Sequence, residues 1–325
     1  MASVRTGGQP NVGCPFSFLT PHPVEVLNVL SYTKLMPWYI YALLAVAIGS
    51  FGGILQKWAL NLKVNKLQFL AYVFTGLLIF YFFYNINHLS SLITSPAFNL
   101  YLLWGFLAAI FSMIGNIAGL FAYEKSANPG YVQVVASLNT ILVMFAVVIL
   151  FGSSISFLKV IGAVISVLGL IPLFYRKNNL NSHHGWQLPA ILAMLSYGAM
   201  FLVVKQMSNL GFSAAEILLV LFFFASIGFW ILHLKKRPKP VNSRYPIFIP
   251  IIAYILVAFL ANLFNFTAIN IAPNAGYVLT IGNLGVILVL ILAIIFFPSD
   301  KGGEFNLAKW LGALLIILGV ILTII

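Results

Sequence analysis

An all-α membrane protein of ten transmembrane helices, arranged as two inverted five-helix repeats, is what three features of the sequence predict. Hydrophobic residues fill 62% of the 325 positions and charged residues only 7%, with a mean hydropathy of +1.05. A water-soluble surface has about a quarter to a third of its positions charged, so this chain must be solvated by lipid. Apolar stretches of about 20 residues, the length a bilayer crossing needs, recur along the whole chain. Short motifs in the first half return in the same order in the second, at separations that put five stretches in each copy.

Taken in order, residues 1–36 form an N-terminal tail. They carry Pro10, Pro15, Pro21 and Pro23 and hold no apolar core of secretory-signal length, so the first span is expected to act as its own insertion signal. Spans one to five read as 37–60, 66–84, 98–121, 128–151 and 157–175, making 37–175 the first repeat. Residues 176–186 connect the halves. Spans six to ten read as 187–208, 214–234, 246–270, 274–297 and 306–325, making 187–325 the second repeat. The links are short and rich in turn chemistry, as in Ser95-Pro96, Asn128-Pro129-Gly130 and Pro298-Ser299-Asp300-Lys301-Gly302-Gly303. The most polar of them, Lys235-Lys236-Arg237-Pro238-Lys239-Pro240, reads as a solvated loop.

The repeat is visible residue by residue. Ala127-Asn128-Pro129-Gly130-Tyr131 returns as Pro273-Asn274-Ala275-Gly276-Tyr277, and the 146 residues between Tyr131 and Tyr277 also separate Asn116 from Asn262 and Ala122 from Ala268. Gly162 and Gly169 return 150 residues on as Gly312 and Gly319, and Lys57 returns 148 on as Lys205. Five is an odd number, so the second copy must enter the membrane from the opposite side. The halves are then related by a pseudo-twofold axis in the membrane plane, an arrangement that can rock between two near-equivalent states around a site at the repeat interface.

Three passages carry a resemblance to a known family. One is the small-residue first span of each half, Ser50 to Lys57 and Gly198 to Lys205; another is the run from Ala122 through Tyr123-Glu124-Lys125-Ser126 to Tyr131. The third is Lys159-Val160-Ile161-Gly162-Ala163 to Leu168-Gly169, with its twin Lys309-Trp310-Leu311-Gly312-Ala313 to Leu318-Gly319. On these residues the chain resembles the drug/metabolite transporter (DMT) superfamily, and within it the ten-helix EamA-type exporters, over residues 37–325. The resemblance implies a basket of helices around a central cavity that moves a small metabolite, amino acid or drug-like solute.

Polar groups at bilayer depth are costly and face the bundle interior or a wet cavity. Ser137 and Asn139 fall near the middle of span four, Thr280 and Asn283 near the middle of span nine. Tyr277, Thr280 and Asn283 are spaced by three and share a helix face; Gln133, Ser137 and Thr140 make a similar stripe. With Tyr131, Asn116 and Asn262 these are the candidate substrate-binding residues, the alternative for each being hydrogen bonding between helices. Lys57 and Lys205 are matched in the two halves and read either as snorkelling to the interface or as contacts for an anionic substrate group. Glu216, at the start of span seven, is the better of two span-end acids for proton coupling. The glycine pairs Gly162/Gly169 and Gly312/Gly319, two turns apart on one face, are expected to bring spans five and ten together. The aromatic runs Phe80-Tyr81-Phe82-Phe83-Tyr84 and Phe222-Phe223-Phe224 are expected to face lipid or its interface.

Charge and chemistry exclude other classes. The net charge of +12 is spread through short loops rather than gathered in a stripe, so the basic balance marks a membrane face and not a nucleic-acid partner. Odd-numbered loops and their flanks carry 13 of the 17 lysines and arginines, which by the positive-inside rule places them in the cytoplasm and both termini outside. Related exporters more often have their termini inside. One cysteine, Cys14, and five acids with none mid-span leave no catalytic constellation, no metal cluster and no phosphate loop. The chain is therefore expected to be no enzyme and to use no cofactor. Its partners are a small-molecule substrate and the lipid bilayer, its oligomeric state a monomer or weak dimer, and its location the plasma membrane, where it would work as a secondary transporter by alternating access. An intramembrane enzyme and a receptor or scaffold are the rival classes.

Overall fold

Thirteen α-helices and no strand make up the regular structure of the residues that the computed structural model describes, which are 36–61, 65–126, 129–174, 185–236, 248–296 and 307–325. The first repeat holds α1 (Trp38–Asn61), α2 (Lys66–Tyr84), α3 (Leu89–Thr94), α4 (Phe98–Lys125), α5 (Pro129–Ser137), α6 (Asn139–Phe151) and α7 (Phe157–Phe174). The second holds α8 (Gln187–Asn209), α9 (Ala214–Lys236), α10 (Phe248–Ile271), α11 (Ala275–Gly282), α12 (Leu284–Phe296) and α13 (Leu307–Ile324). Ten segments among them are long and apolar enough to cross a membrane, and they match the ten spans read from the sequence to within a few residues. Two features differ from that reading. Spans four and nine are each broken into two helices, α5–α6 and α11–α12, and a short helix, α3, sits in the link between spans two and three. The N-terminal tail with Cys14, most of the 176–186 link, and the side chains of Lys57 and Tyr131 lie outside the described residues.

Helices dominate because lipid offers no partner to a free N–H or C=O, so each span must satisfy its own backbone. What the spans then exclude from one another is decided by size rather than polarity. On α4, Ala108, Ser112, Gly115, Gly119 and Ala122 recur at intervals of four and three and are all buried, while Leu103, Phe106 and Phe121 are exposed to the lipid side. This small-residue stripe packs α4 against α8.

The pairings show the twofold relation directly. Span one packs on span eight, span three on span six, span two on span seven, and span five on span ten. Exchanging the two halves turns this set into itself, as an inverted repeat requires. The closest approach is between α7 and α13. A Cβ added to Gly162 would lie 2.6 Å from the carbonyl oxygen of Gly319, and one on Gly312 would lie 2.6 Å from that of Gly169. The four glycines therefore do bring spans five and ten together within one chain.

The aromatic runs divide. Phe82, Phe83 and Tyr84 face outward, whereas Tyr81 is wholly buried and stacks on Phe222 at 5.5 Å between ring centroids, its hydroxyl donating to the Phe259 carbonyl at 2.7 Å. The expectation of lipid exposure fails for Tyr81 and Phe222 because α2 and α9 meet along that face, and a buried tyrosine hydroxyl needs a partner that the α10 backbone supplies.

Candidate functional site

The two broken spans meet the rest of the bundle at its middle, and their local sequences explain the breaks. Ser137 Oγ donates back to the Val134 carbonyl at 2.7 Å and Thr280 Oγ1 to the Gly276 carbonyl at 2.9 Å. Such back-bonding bends a helix at the following turn. Just after each, the backbone tightens: Leu138 N–H donates to Val135 O and Asn283 N–H to Thr280 O, both at 3.2 Å. Leu138 (φ −62°, ψ −18°) and Asn283 (φ −63°, ψ −23°) keep right-handed turn angles, so each span is redirected without being unwound. The span-nine bend is tied to α7 by Asn283 Nδ2 donating to Ser166 Oγ at 3.1 Å.

Between these bends and the odd-loop ends of the bundle lies a cavity of about 440 Å³. Its upper wall is formed by Gln56, Leu70, Asn116, Tyr123, Gln133 and Tyr254, all in the half of their spans nearer the odd loops, and its floor by Asn139, Thr140, Phe201, Leu279, Gly282 and Asn283 near mid-span. Tyr197 of α8 and Ser137 complete the polar lining. Most of the polar groups are held by the protein: Tyr123 OH donates to Gln133 Oε1 at 2.8 Å, and Asn116 Nδ2 donates to the Ser112 carbonyl at 2.8 Å.

Toward the even loops the same two spans close on each other. Asn274 is fully buried; its Oδ1 accepts from Gly276 N–H at 2.8 Å, capping α11, while its Nδ2 donates to the Met144 carbonyl of α6 at 3.0 Å. A Cβ on Gly276 would lie 2.7 Å from the Met144 Cα, so glycine is required where these backbones touch. Tyr277 is buried beside Trp38 at 6.2 Å between ring centroids; its hydroxyl accepts from Ser156 N–H at 3.4 Å, and Lys159 Nζ sits 5.2 Å over its ring. Among the described residues, spans four and nine thus leave a cavity between them toward the odd loops and touch each other toward the even loops.

A cavity at the junction of two inverted repeats, both of them matched by one family model, decides the assignment: residues 36–175 and 184–325 each fit the EamA-like transporter family. The chain belongs to that family. It is a membrane transporter of the drug/metabolite type. Comparison with curated proteins finds no match. A solved crystal structure, 14% identical, aligns over 86% of this chain and 96% of its own with a TM-score of 0.64, which shows a shared fold.

Within this EamA-like transporter the candidate residues separate. Asn116, Gln133, Ser137, Asn139 and Asn283 all line the cavity. Thr280 and Tyr277 do not. Thr280 turns away to bond its own helix, and Tyr277 belongs to the packed end. Asn262 lies eight residues beyond Tyr254, where Ala261 packs toward Gly49 of α1, and is likewise outside the lining. Lys205 is placed away from the cavity lining. It is buried, and its Nζ donates to the carbonyls of Ala272 at 2.9 Å and Ile269 at 3.3 Å, so it caps carbonyls at the end of α10. Glu216 is engaged too. Ser213 N–H donates to Glu216 Oε2 at 2.8 Å and Glu216 N–H to Ser213 Oγ at 3.3 Å, a reciprocal capping box at the start of α9.

Four polar cavity residues escaped the sequence: Gln56, Tyr123, Tyr197 and Tyr254. Gln56 did carry a signal, since a carboxamide in an apolar span has the same desolvation cost that singled out the asparagines. The tyrosines carried none, because a tyrosine near a span end sits equally well at the lipid interface.

Proposed function

We propose that this EamA-like protein is a secondary transporter that moves a small organic solute by alternating access, with the cavity as its substrate site. The observation that carries this reading is the asymmetry of a symmetric chain: spans four and nine are hollow between them in one half and packed through Asn274, Gly276 and Met144 in the other. Inverted repeats have a second state available in which the halves exchange conformations. In that state Asn262, the repeat equivalent of Asn116, takes its place on the wall of a cavity facing the even loops. The charge bias favours the odd loops, and so the mouth of the present cavity, on the cytoplasmic side of the membrane. The carboxamide lining argues against an intramembrane enzyme, which needs a nucleophile and base or a paired acid in the cavity.

The test is flux through purified protein in liposomes, screened across amino acids, nucleosides and sugar phosphates. Saturable, protein-dependent uptake of one class is expected. No saturable flux for any class, together with a hydrolytic or transferase activity, would sink the transport reading.

A further inference from the structure

We infer that the cavity is built for an uncharged, planar solute with a hydrogen-bonding edge, of the nucleoside and nucleobase kind; this rests on the transport reading above and names its substrate class. Three properties of the lining converge on that chemistry.

The first is hydrogen-bonding capacity of mixed sign. Five carboxamides, Gln56, Asn116, Gln133, Asn139 and Asn283, face one cavity. Gln133 and Asn139 accept through their oxygens, from Tyr123 at 2.8 Å and Thr140 at 3.5 Å, with no partner for their amide nitrogens among the described residues. Asn116 and Asn283 donate through their nitrogens, to Ser112 at 2.8 Å and Ser166 at 3.1 Å, with no partner for their oxygens among the described residues. Gln56 has no hydrogen-bond partner among the described residues and offers both. Donors and acceptors are thereby oriented in advance, and a carboxamide places one of each side by side, as the edge of a nucleobase does.

Neutrality is the second. None of the described lining residues is charged, and the N–H groups at the two bends, on Leu138, Leu142, Asn283 and Val286, are all bonded to carbonyls. A phosphate, carboxylate or ammonium carried into this space would be stripped of water with no counter-charge among these groups, the costly case for a buried ion.

The third is a set of braced aromatic faces. Tyr197 lies so close on Gly115 that a Cβ there would sit 3.0 Å from its ring. Tyr254 is held by Phe69 at 5.4 Å between ring centroids and lies against Gly52, and Phe201 adds a third ring at the floor. Rings fixed by packing offer flat faces on which a base can stack; a hexose has the hydroxyls for the amides but meets the rings with C–H groups and not with a π-face.

The experiment uses the full-length protein in liposomes with radiolabelled uridine and adenosine, set against glucose, glutamate, lysine and glucose 6-phosphate. Saturable nucleoside uptake is expected, competed by free nucleobases and not by the other four. Tyr197→Leu should raise the nucleoside KM about tenfold, while Tyr197→Phe, which keeps the ring, stays within about twofold; thermal unfolding of both variants separates lost stacking from lost folding. Saturable flux confined to the hexose or to charged solutes overturns the inference while leaving transport intact, and loss of an anion flux in Lys57→Gln would locate the charge responsible. An absence of flux for every solute overturns the transport reading itself.

Discussion

Gly169→Ala tests the helix contact on which the two halves close. The added Cβ would lie 2.7 Å from the Gly312 carbonyl oxygen and 2.8 Å from the Ile316 nitrogen, against a favourable separation of about 3.5 Å. Both neighbours are backbone, so neither can rotate away. The α7 and α13 axes must part by roughly 0.7 Å, and Gly162, which meets Gly319 two turns along, loses its contacts as well. Overpacking of this kind costs about 1–3 kcal/mol, offset by up to about 1 kcal/mol because alanine is the better helix former. A net loss of about 1–2 kcal/mol is expected. Gly49→Ala is the control: its Cβ would lie 3.6 Å from the Ala261 Cβ, an ordinary contact, so only the propensity gain applies. Because a Cβ on Gly312 would meet the Gly169 carbonyl in turn, the double variant Gly169→Ala/Gly312→Ala should be less destabilised than the sum of the singles, by about 0.5 kcal/mol or more. The assay is unfolding of the detergent-solubilised protein, by heat or by titration with a denaturing detergent. Equal stability of Gly169→Ala and Gly49→Ala, or strict additivity in the double variant, would refute the claim of backbone contact.

Lys205→Met removes two charge-assisted bonds to carbonyls at the end of α10 and should cost about 1–3 kcal/mol of stability with the transport KM unchanged; a raised KM in a stable protein would return Lys205 to the substrate path. Glu216→Gln preserves a capping box, which accepts glutamine at that position, so stability should hold within about 0.5 kcal/mol and the pH profile of transport should not move. Loss of the pH dependence in that variant would show a carboxylate proton at work. A reporter fused after Ile325 should be active only on the outer side of the membrane, as the charge bias requires; activity on the cytoplasmic side alone reverses the orientation, and with it the side to which the cavity opens.

The candidate site was half legible. Asparagines and serines within apolar spans announced themselves, and Asn116, Ser137, Asn139 and Asn283 do line the cavity. Lys205 and Glu216 announced themselves equally and are helix caps. The signal in each case is the cost of a polar group in lipid, which says that a partner must exist and not whether that partner is a helix end or a solute. Tyr197 and Tyr254 gave no such signal, because a ring that lines a cavity and a ring that meets the interface are the same residue in a sequence.

The sequence by itself determined the solvent, the ten spans, their grouping by five and the inversion of the second group, since these follow from a bilayer of fixed thickness, from backbone groups that must be satisfied within each span, and from an odd repeat. It also determined that spans five and ten touch, because glycines two turns apart have few other uses. Only the tertiary structure decided which of two equivalent residues faces the cavity. Asn116 and Asn262 occupy the same position in the two repeats, yet one lines the hollow half and the other does not. A sequence repeat is symmetric, whereas a bundle that joins Asn274 to Met144 toward the even loops and leaves a cavity toward the odd loops is not; that difference is made by contacts between spans, and no single residue encodes it.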